Sequence, residues 1–224
     1  MGDLYLMNKL EVIYEDNHLI VVFKPCNILS QADKTGDICM LSMVKNYLKE
    51  KYSKPGNVYT GLVHRLDRPV SGLMVFAKTS KAASRLSEVI RNNEMTKGYL
   101  AVVRGYLPNK KGELVNYLTK DNDNNAVVTS NELGKKAVLE YELLKEIDDL
   151  SLVKINLITG RHHQIRIQFA HLGHPLYGDQ RYGLKDNKQI ALYSNYLSFP
   201  HPITKEVLEF EKKMPKGNIW ANFV

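Results

Sequence analysis

The stretch His64-Arg65-Leu66-Asp67-Arg68-Pro69-Val70-Ser71-Gly72-Leu73 sets one carboxylate between two arginines, shortly before the turn signal Ser71-Gly72. Neighbouring cations favour the ionised carboxyl, the form able to attack an electrophilic carbon, so Asp67 is a candidate nucleophile rather than an acid. A surface Asp paired locally with arginine would give the same charge pattern, and the surrounding sequence has to decide between the two. After Gly72, Leu73, Val75 and Ala77 alternate with Met74, Phe76 and Lys78, which predicts a largely buried strand fed by the Asp67 loop.

Upstream, Leu10–Tyr14 and Leu19–Phe23 read as a hairpin closed by Glu15-Asp16-Asn17-His18, with Lys24-Pro25 ending its second strand. Leu41, Val44, Tyr47 and Leu48 recur at helical spacing over Met40–Tyr52. Downstream, Thr79-Ser80 offers an N-cap to a helix striped by Ala82, Ala83, Leu86, Val89 and Ile90. A strand over Tyr99–Arg104 follows. Four more, Glu113–Leu118, Ala126–Thr129, Lys136–Leu144 and Ser151–Leu157, are separated by Asn/Asp/Gly turns and predict an antiparallel meander. A helix over His162–Leu172 puts Ile165, Phe169 and Leu172 on one face, and Gly173 and Pro175 stop it. Leu192–Phe199 and Val207–Phe210 are closing strands around Pro200-His201-Pro202.

The 224 residues, 44% hydrophobic and 25% charged, suit a folded globular chain, and no repeat or long linker divides it. Lys and Arg outnumber Asp and Glu by 31 to 24, which favours a polyanionic partner. Cys26 and Cys39 match neither a metal knuckle nor a redox pair, and the expected setting is reducing, that is, cytoplasmic. Met1–Leu10 lacks the pattern of an export signal, and no apolar run is long enough to span a membrane. His162, His163, His171 and His174 are set aside as metal ligands: neighbouring histidines on a helix point apart, and no Cys or HExxH pattern completes a set.

The His64–Asp67 run with Ser71-Gly72-Leu73 resembles the active-site motif of the RluA-type RNA pseudouridine synthases. Lys97-Gly98-Tyr99 resembles that family's Lys-x-Tyr strand entry. Leu157 to Arg166, then Gly173-His174-Pro175-Leu176-Tyr177-Gly178-Asp179 with Tyr182-Gly183, resemble its second long signature, and Phe199-Pro200-His201-Pro202 its closing segment. The matches run in family order from about Leu10 to Pro202. Pro69-Val70, Gln168 and Tyr193-Ser194 depart from the usual pattern.

The resemblance implies an α+β fold: a mixed, mainly antiparallel central sheet in two lobes, with flanking helices and a central basic cleft. It implies one catalytic domain over residues 1–224, with no S4-like RNA-binding module ahead of it, that isomerises uridines of ribosomal or transfer RNA to pseudouridine. Asp67 is then the nucleophile, Tyr99 the aromatic platform and possible base at C5, and Arg166 the partner of the catalytic carboxylate. Arg65 is similar to the residue that helps extrude the target nucleotide. His64, Arg68, Lys97, Arg161, His163 and Gln164 are expected substrate contacts. No second catalytic carboxyl group is read in these motifs, which fits a leaving uracil that must stay bound. No cofactor, metal, membrane or obligatory protein partner is implied, and the chain is expected to be monomeric. Two other readings stay open: a catalytically silent RNA-binding module, and a carboxylate-dependent nucleosidase or glycosidase that releases its base.

Overall fold

The computed structural model describes Leu10 to Val224, and the reading of the first residues as free of an export signal lies outside them. The described residues carry eleven strands and three α-helices, an α+β content divided into two compact units. The first unit takes the chain up to Met95 and adds 198–210, and the second comprises 96–197 with 211–224.

In the first unit, β1 (Glu11–Glu15) and β2 (Leu19–Lys24) form the expected hairpin. Asp16 closes it by accepting the N–H groups of His18 and Leu19 at 2.7 and 2.8 Å. Strand β2 then pairs antiparallel with β4 (Ser71–Ala77), on which the two-residue β3 (Gly61–Leu62) also lies. The apolar runs in β2 and β4 are buried almost throughout, as strands covered on both faces require. Helix α1 (Met40–Lys51) buries Met40, Val44 and Leu48, and α2 (Ser80–Arg91) buries Ala82, Leu86 and Val89; both stripes have helical spacing. Thr79 caps α2 as expected, its hydroxyl accepting the Ala82 N–H. A buried carboxylate, Glu15, ties β1 to α1 and to the end of β4. Burial pushes its pKa up, but hydrogen bonds from Lys51, Lys78, Tyr52 and Tyr47 outweigh that and hold it at about 2.

The second unit is built on β5 (Thr96–Arg104), β6 (Lys111–Lys120), β7 (Ala126–Thr129), β8 (Lys135–Ile147), β9 (Leu150–Leu157) and the first six residues of β10 (Leu192–Pro200). Their order, β10-β5-β9-β8-β6-β7, corrects the meander. Strand β8 returns beside β6, so the four-residue β7 is left at the edge. Tyr117 is thus opposite Thr129 on one side and Lys136 on the other. The crossing is tight: a Cβ at Gly134 would lie 2.6 Å from the Thr129 methyl carbon and 3.0 Å from the Leu118 nitrogen, so the turn needs glycine.

Helix α3 runs Gln164–His171, two residues later than the sequence suggests at its start, because His163 takes the left-handed conformation (φ 51°). Strand β11 (Val207–Glu211) follows the closing Pro-His-Pro segment, and a 3₁₀ helix over Asn218–Phe223, invisible to periodicity, seats Trp220 and Phe223.

Candidate active site

The Asp67 loop is held from below. Ser30 is buried, and its hydroxyl donates to the Leu66 carbonyl at 2.7 Å and accepts the Leu66 N–H at 3.1 Å. Leu66 points into the core, which leaves Arg65 exposed and Asp67 half-buried. The Val70 N–H donates to the Asp67 carbonyl at 3.0 Å, closing a four-residue turn with Arg68 and Pro69 at its centre.

Beneath that turn lies Lys24, fully buried at the end of β2. Its ammonium donates to the carbonyls of Pro25 (3.0 Å), Arg68 (3.0 Å) and Val70 (2.6 Å). A primary ammonium has three donors on one atom, so Lys24 satisfies three otherwise buried acceptors at once. Burial pushes its pKa down to about 8 against the raising influence of Cys26 and Asp67, with Arg68 adding to the drop. The Pro69-Val70 departure therefore falls within a turn whose backbone is fixed by a cation 46 residues away in sequence. Reading Asp67 as compressed between two arginines needs correction on one side: Arg68 makes its ion pair with Asp37 at 2.7 Å. Lys24 is the buried cation that the sequence reading missed.

His64 accepts the Val75 N–H on Nε2 at 3.0 Å, continuing the pairing of β3 along β4. Through that nitrogen, which accepts, His64 braces the loop entrance.

In the second unit, Lys97 and Tyr99 project from the same face of β5, because alternate residues share a face. The opposite face at Gly98 is filled: a Cβ there would lie 2.8 Å from Tyr196 Cβ. Tyr99 is buried and Lys97 half-buried. Arg161 directs its Nε to the Lys136 carbonyl at 2.9 Å. Gln164 is only 3% exposed; its carbonyl oxygen accepts the Thr159 hydroxyl (2.8 Å) and the Arg161 N–H (3.0 Å), and its amide donates to Val138 (3.0 Å). Expected to touch substrate, Gln164 instead locks the turn before α3.

His163 meets the Tyr182 hydroxyl through Nδ1 at 2.8 Å and stacks on His162, ring centroids 3.7 Å apart. The expectation that these histidines diverge on a helix fails, because both precede α3 and His163 is left-handed. Gln168, a departure from the family pattern, is buried and donates to the Leu114 carbonyl and the Asn116 side chain, tying α3 to β6.

Arg166 forks onto Asp179, Nε to Oδ2 at 2.8 Å and Nη2 to Oδ1 at 2.7 Å, with both side chains buried. Asp179 also accepts the N–H groups of Arg181 and Tyr182. Burial raises its pKa, but Arg166 and those backbone donors outweigh it and hold the carboxyl below its usual range. The second signature thus contains a second carboxylate after all. It is ionised and fully engaged as an acceptor, so it has no proton to give a leaving group.

The expected site residues thus fall in two sets, His64, Arg65, Asp67 and Arg68 in the first unit and Lys97, Tyr99, Arg161, His163, Gln164 and Arg166 in the second.

Residues 18–171 match the family model described as RNA pseudouridylate synthase. A ribosomal large subunit pseudouridine synthase D from Vibrio cholerae is 33% identical, over 92% of this chain and 68% of that protein. A dual-specificity RNA pseudouridine synthase RluA from Haemophilus influenzae is 35% identical, over 91% and 93%. Among solved structures, human RNA pseudouridylate synthase domain containing 4 superposes with a TM-score of 0.78 at 20% identity, covering 92% of this chain and 89% of that one, which supports the fold alone. The chain belongs to the RNA pseudouridylate synthase family, in its RluA-type branch. It is accordingly an RNA-modifying isomerase, as its α+β architecture and motifs led one to expect.

Two outcomes follow for variants of the engaged charges. Lys24→Met leaves three carbonyls without their donor and should lower the unfolding free energy by about 1–3 kcal/mol, together with turnover, in denaturant titrations and RNA assays. With a folded-state pKa near 8 against an ordinary 10.5, the proton between those values resides on the unfolded chain. The Lys24 contribution to stability therefore rises with pH across that window, and this part of the pH slope should vanish in Lys24→Met. Asp179→Leu alone removes the carboxylate from a buried guanidinium and should cost about 3–5 kcal/mol by denaturant titration, whereas Arg166→Met with Asp179→Leu should cost markedly less.

Proposed function

We propose that Asp67 is the nucleophile with which this chain isomerises uridine to pseudouridine, and that large-subunit ribosomal RNA is its first substrate to test. The supporting observation is the Asp67 loop itself: a half-buried carboxylate on a turn fixed by Ser30 and Lys24, carrying the family motif. The curated relatives named for the ribosomal large subunit favour that RNA, and transfer RNA is the second candidate.

The chemistry balances within one nucleotide. The carboxylate of Asp67 engages the ribose as the C1′–N1 bond breaks, the uracil turns over while bound, and C1′ bonds to C5. The C5 proton is then lost and N1 ends protonated, so nothing is released and no oxidant or reductant is used. Tyr99 supplies a flat face for the detached base and a phenol within the chemistry of a base at C5. Arg166, oriented and kept charged beside the Asp179 carboxylate, has by the family resemblance the role of the arginine that serves catalysis. Exposed Arg65, which has no partner among the described residues, takes the place of the stacked base as the target nucleotide leaves the helix. Ionised Asp179 disfavours a glycosidase built on a carboxylic acid and a carboxylate nucleophile, since its carboxyl then has no proton to give.

Both units work as one catalytic domain, active as a monomer in the cytoplasm. Two free cysteines are consistent with a reducing setting, and no described helix is long and apolar enough to cross a membrane.

Asp67→Asn should abolish pseudouridine formation on a ribosomal transcript, a loss of more than about 10³-fold, while RNA affinity stays within a few-fold. Pseudouridine formed at near wild-type rate by Asp67→Asn would remove Asp67 from the chemistry. Free uracil in the wild-type reaction would favour the nucleosidase.

A further inference from the structure

We propose that Lys97 and Arg161 together form a preorganised site for one phosphodiester of the RNA, set beside Tyr99. The proposal deepens the functional reading above and rests on it for the identity of the ligand. Lys97 is half-buried, yet among the described residues it has neither a carboxylate nor a hydrogen-bond partner. Its ammonium reaches the turn before α3, with Nζ 3.4 Å from where a Cβ of Gly160 would stand. The next residue on that turn is another cation, Arg161. Two positive groups brought together with no anion cost free energy, and a protein that holds them so is complementary to an anion from outside.

The turn is also rigid before any ligand arrives. Gln164 binds Thr159 and the Arg161 N–H, Thr159 accepts the Val138 N–H at 2.8 Å, and Arg161 Nε is anchored on Lys136. Only Nε of Arg161 is taken up, so the terminal guanidinium donors are available for oxygen atoms of a phosphate. Burial first, and Arg161 second, push the Lys97 pKa below the usual lysine value, the electrostatic counterpart of a missing anion.

Position argues for a phosphodiester of RNA. Lys97 and Tyr99 are two residues apart on one face of β5, a separation of about 7 Å along the strand. That is comparable to the span from a nucleobase across its sugar to its phosphate. A base held on Tyr99 therefore brings a backbone phosphate toward Lys97. Among the described residues no carboxylate makes an ion pair with Lys97; Glu94 accepts from Asn92, and Glu140, on β8, accepts from Asn156.

The test is the salt dependence of RNA affinity for the whole protein with a ribosomal transcript. The slope of log affinity against log salt should flatten by about 0.7–0.9 in Lys97→Met and in Arg161→Met. The double variant should be little flatter than either single one, since both residues grip one phosphate. Lys97→Arg should restore most of the slope. Over a series of RNA concentrations, Lys97→Met should raise KM several-fold with kcat within about threefold, and it should unfold no more easily than wild type, because it removes a desolvated cation.

An unchanged slope in Lys97→Met overturns the proposal. Competition by inorganic phosphate separates the sources: phosphate that binds through Lys97 while the RNA slope is unaffected would mean a free-anion site and would overturn the RNA assignment. Activity in Asp67→Asn would strike the nucleophile and leave these slopes standing, so the two claims fail separately.

Discussion

The buried ammonium of Lys24 is the interaction on which the reactive loop depends. A charge fully removed from water costs several kcal/mol unless it is well paired, and here the compensation is three backbone carbonyls rather than a carboxylate. Two of those carbonyls belong to the turn that follows Asp67. Strand β2, buried on both faces, fixes the base of the lysine, and the lysine fixes the turn after Asp67 while Ser30 fixes Leu66 before it, so two buried side chains pass the core's rigidity to the carboxylate. No neutral residue has three donors on one atom. The cost is a pKa near 8: burial penalises the charged form, so the Lys24 contribution to stability grows as the pH rises from there toward 10.5.

The second unit solves the opposite problem, a buried guanidinium, with a carboxylate. Asp179 takes two donors from Arg166 and two from the backbone, which fixes the arginine's plane and keeps the carboxyl ionised. Beside it, Gln164, His163 and Tyr182 are consumed in holding the turn before α3. Most polar residues of the long second signature thus hold one another, and few are left to meet a substrate. Lys97 stands apart because no described residue answers its charge.

Much of the fold was legible from periodicity: the β1–β2 hairpin, both stripes of α1 and α2, the Thr79 cap and every strand from β4 to β11 lie within a few residues of their expected limits. The path of β8 was not, because turn residues show where a strand ends and not on which side the next one returns. The start of α3 was misplaced since nothing local shows that His163 turns left-handed. At the site, Asp67 was visible through its charged neighbours. Lys24 was not, as it looked like a strand-ending lysine before proline and its partners are 44 and 46 residues away. Gln164 was expected to touch substrate because residue type alone does not separate a ligand contact from a brace. Asp179 lay in plain view within a quoted motif, but its role depends on a guanidinium 13 residues earlier.

A clamped carboxylate acting on a uracil that never leaves is the central claim, and a map of pseudouridine in cellular RNA tests it most directly. RNA would be compared between cells lacking the gene, the same cells supplied with the wild-type gene, and cells supplied with the Asp67→Asn form. The account predicts one or a few uridines, in large-subunit ribosomal RNA or transfer RNA, that become pseudouridine with no change of mass only when the wild-type gene is present. Identical maps in all three, or restoration by Asp67→Asn, would contradict it.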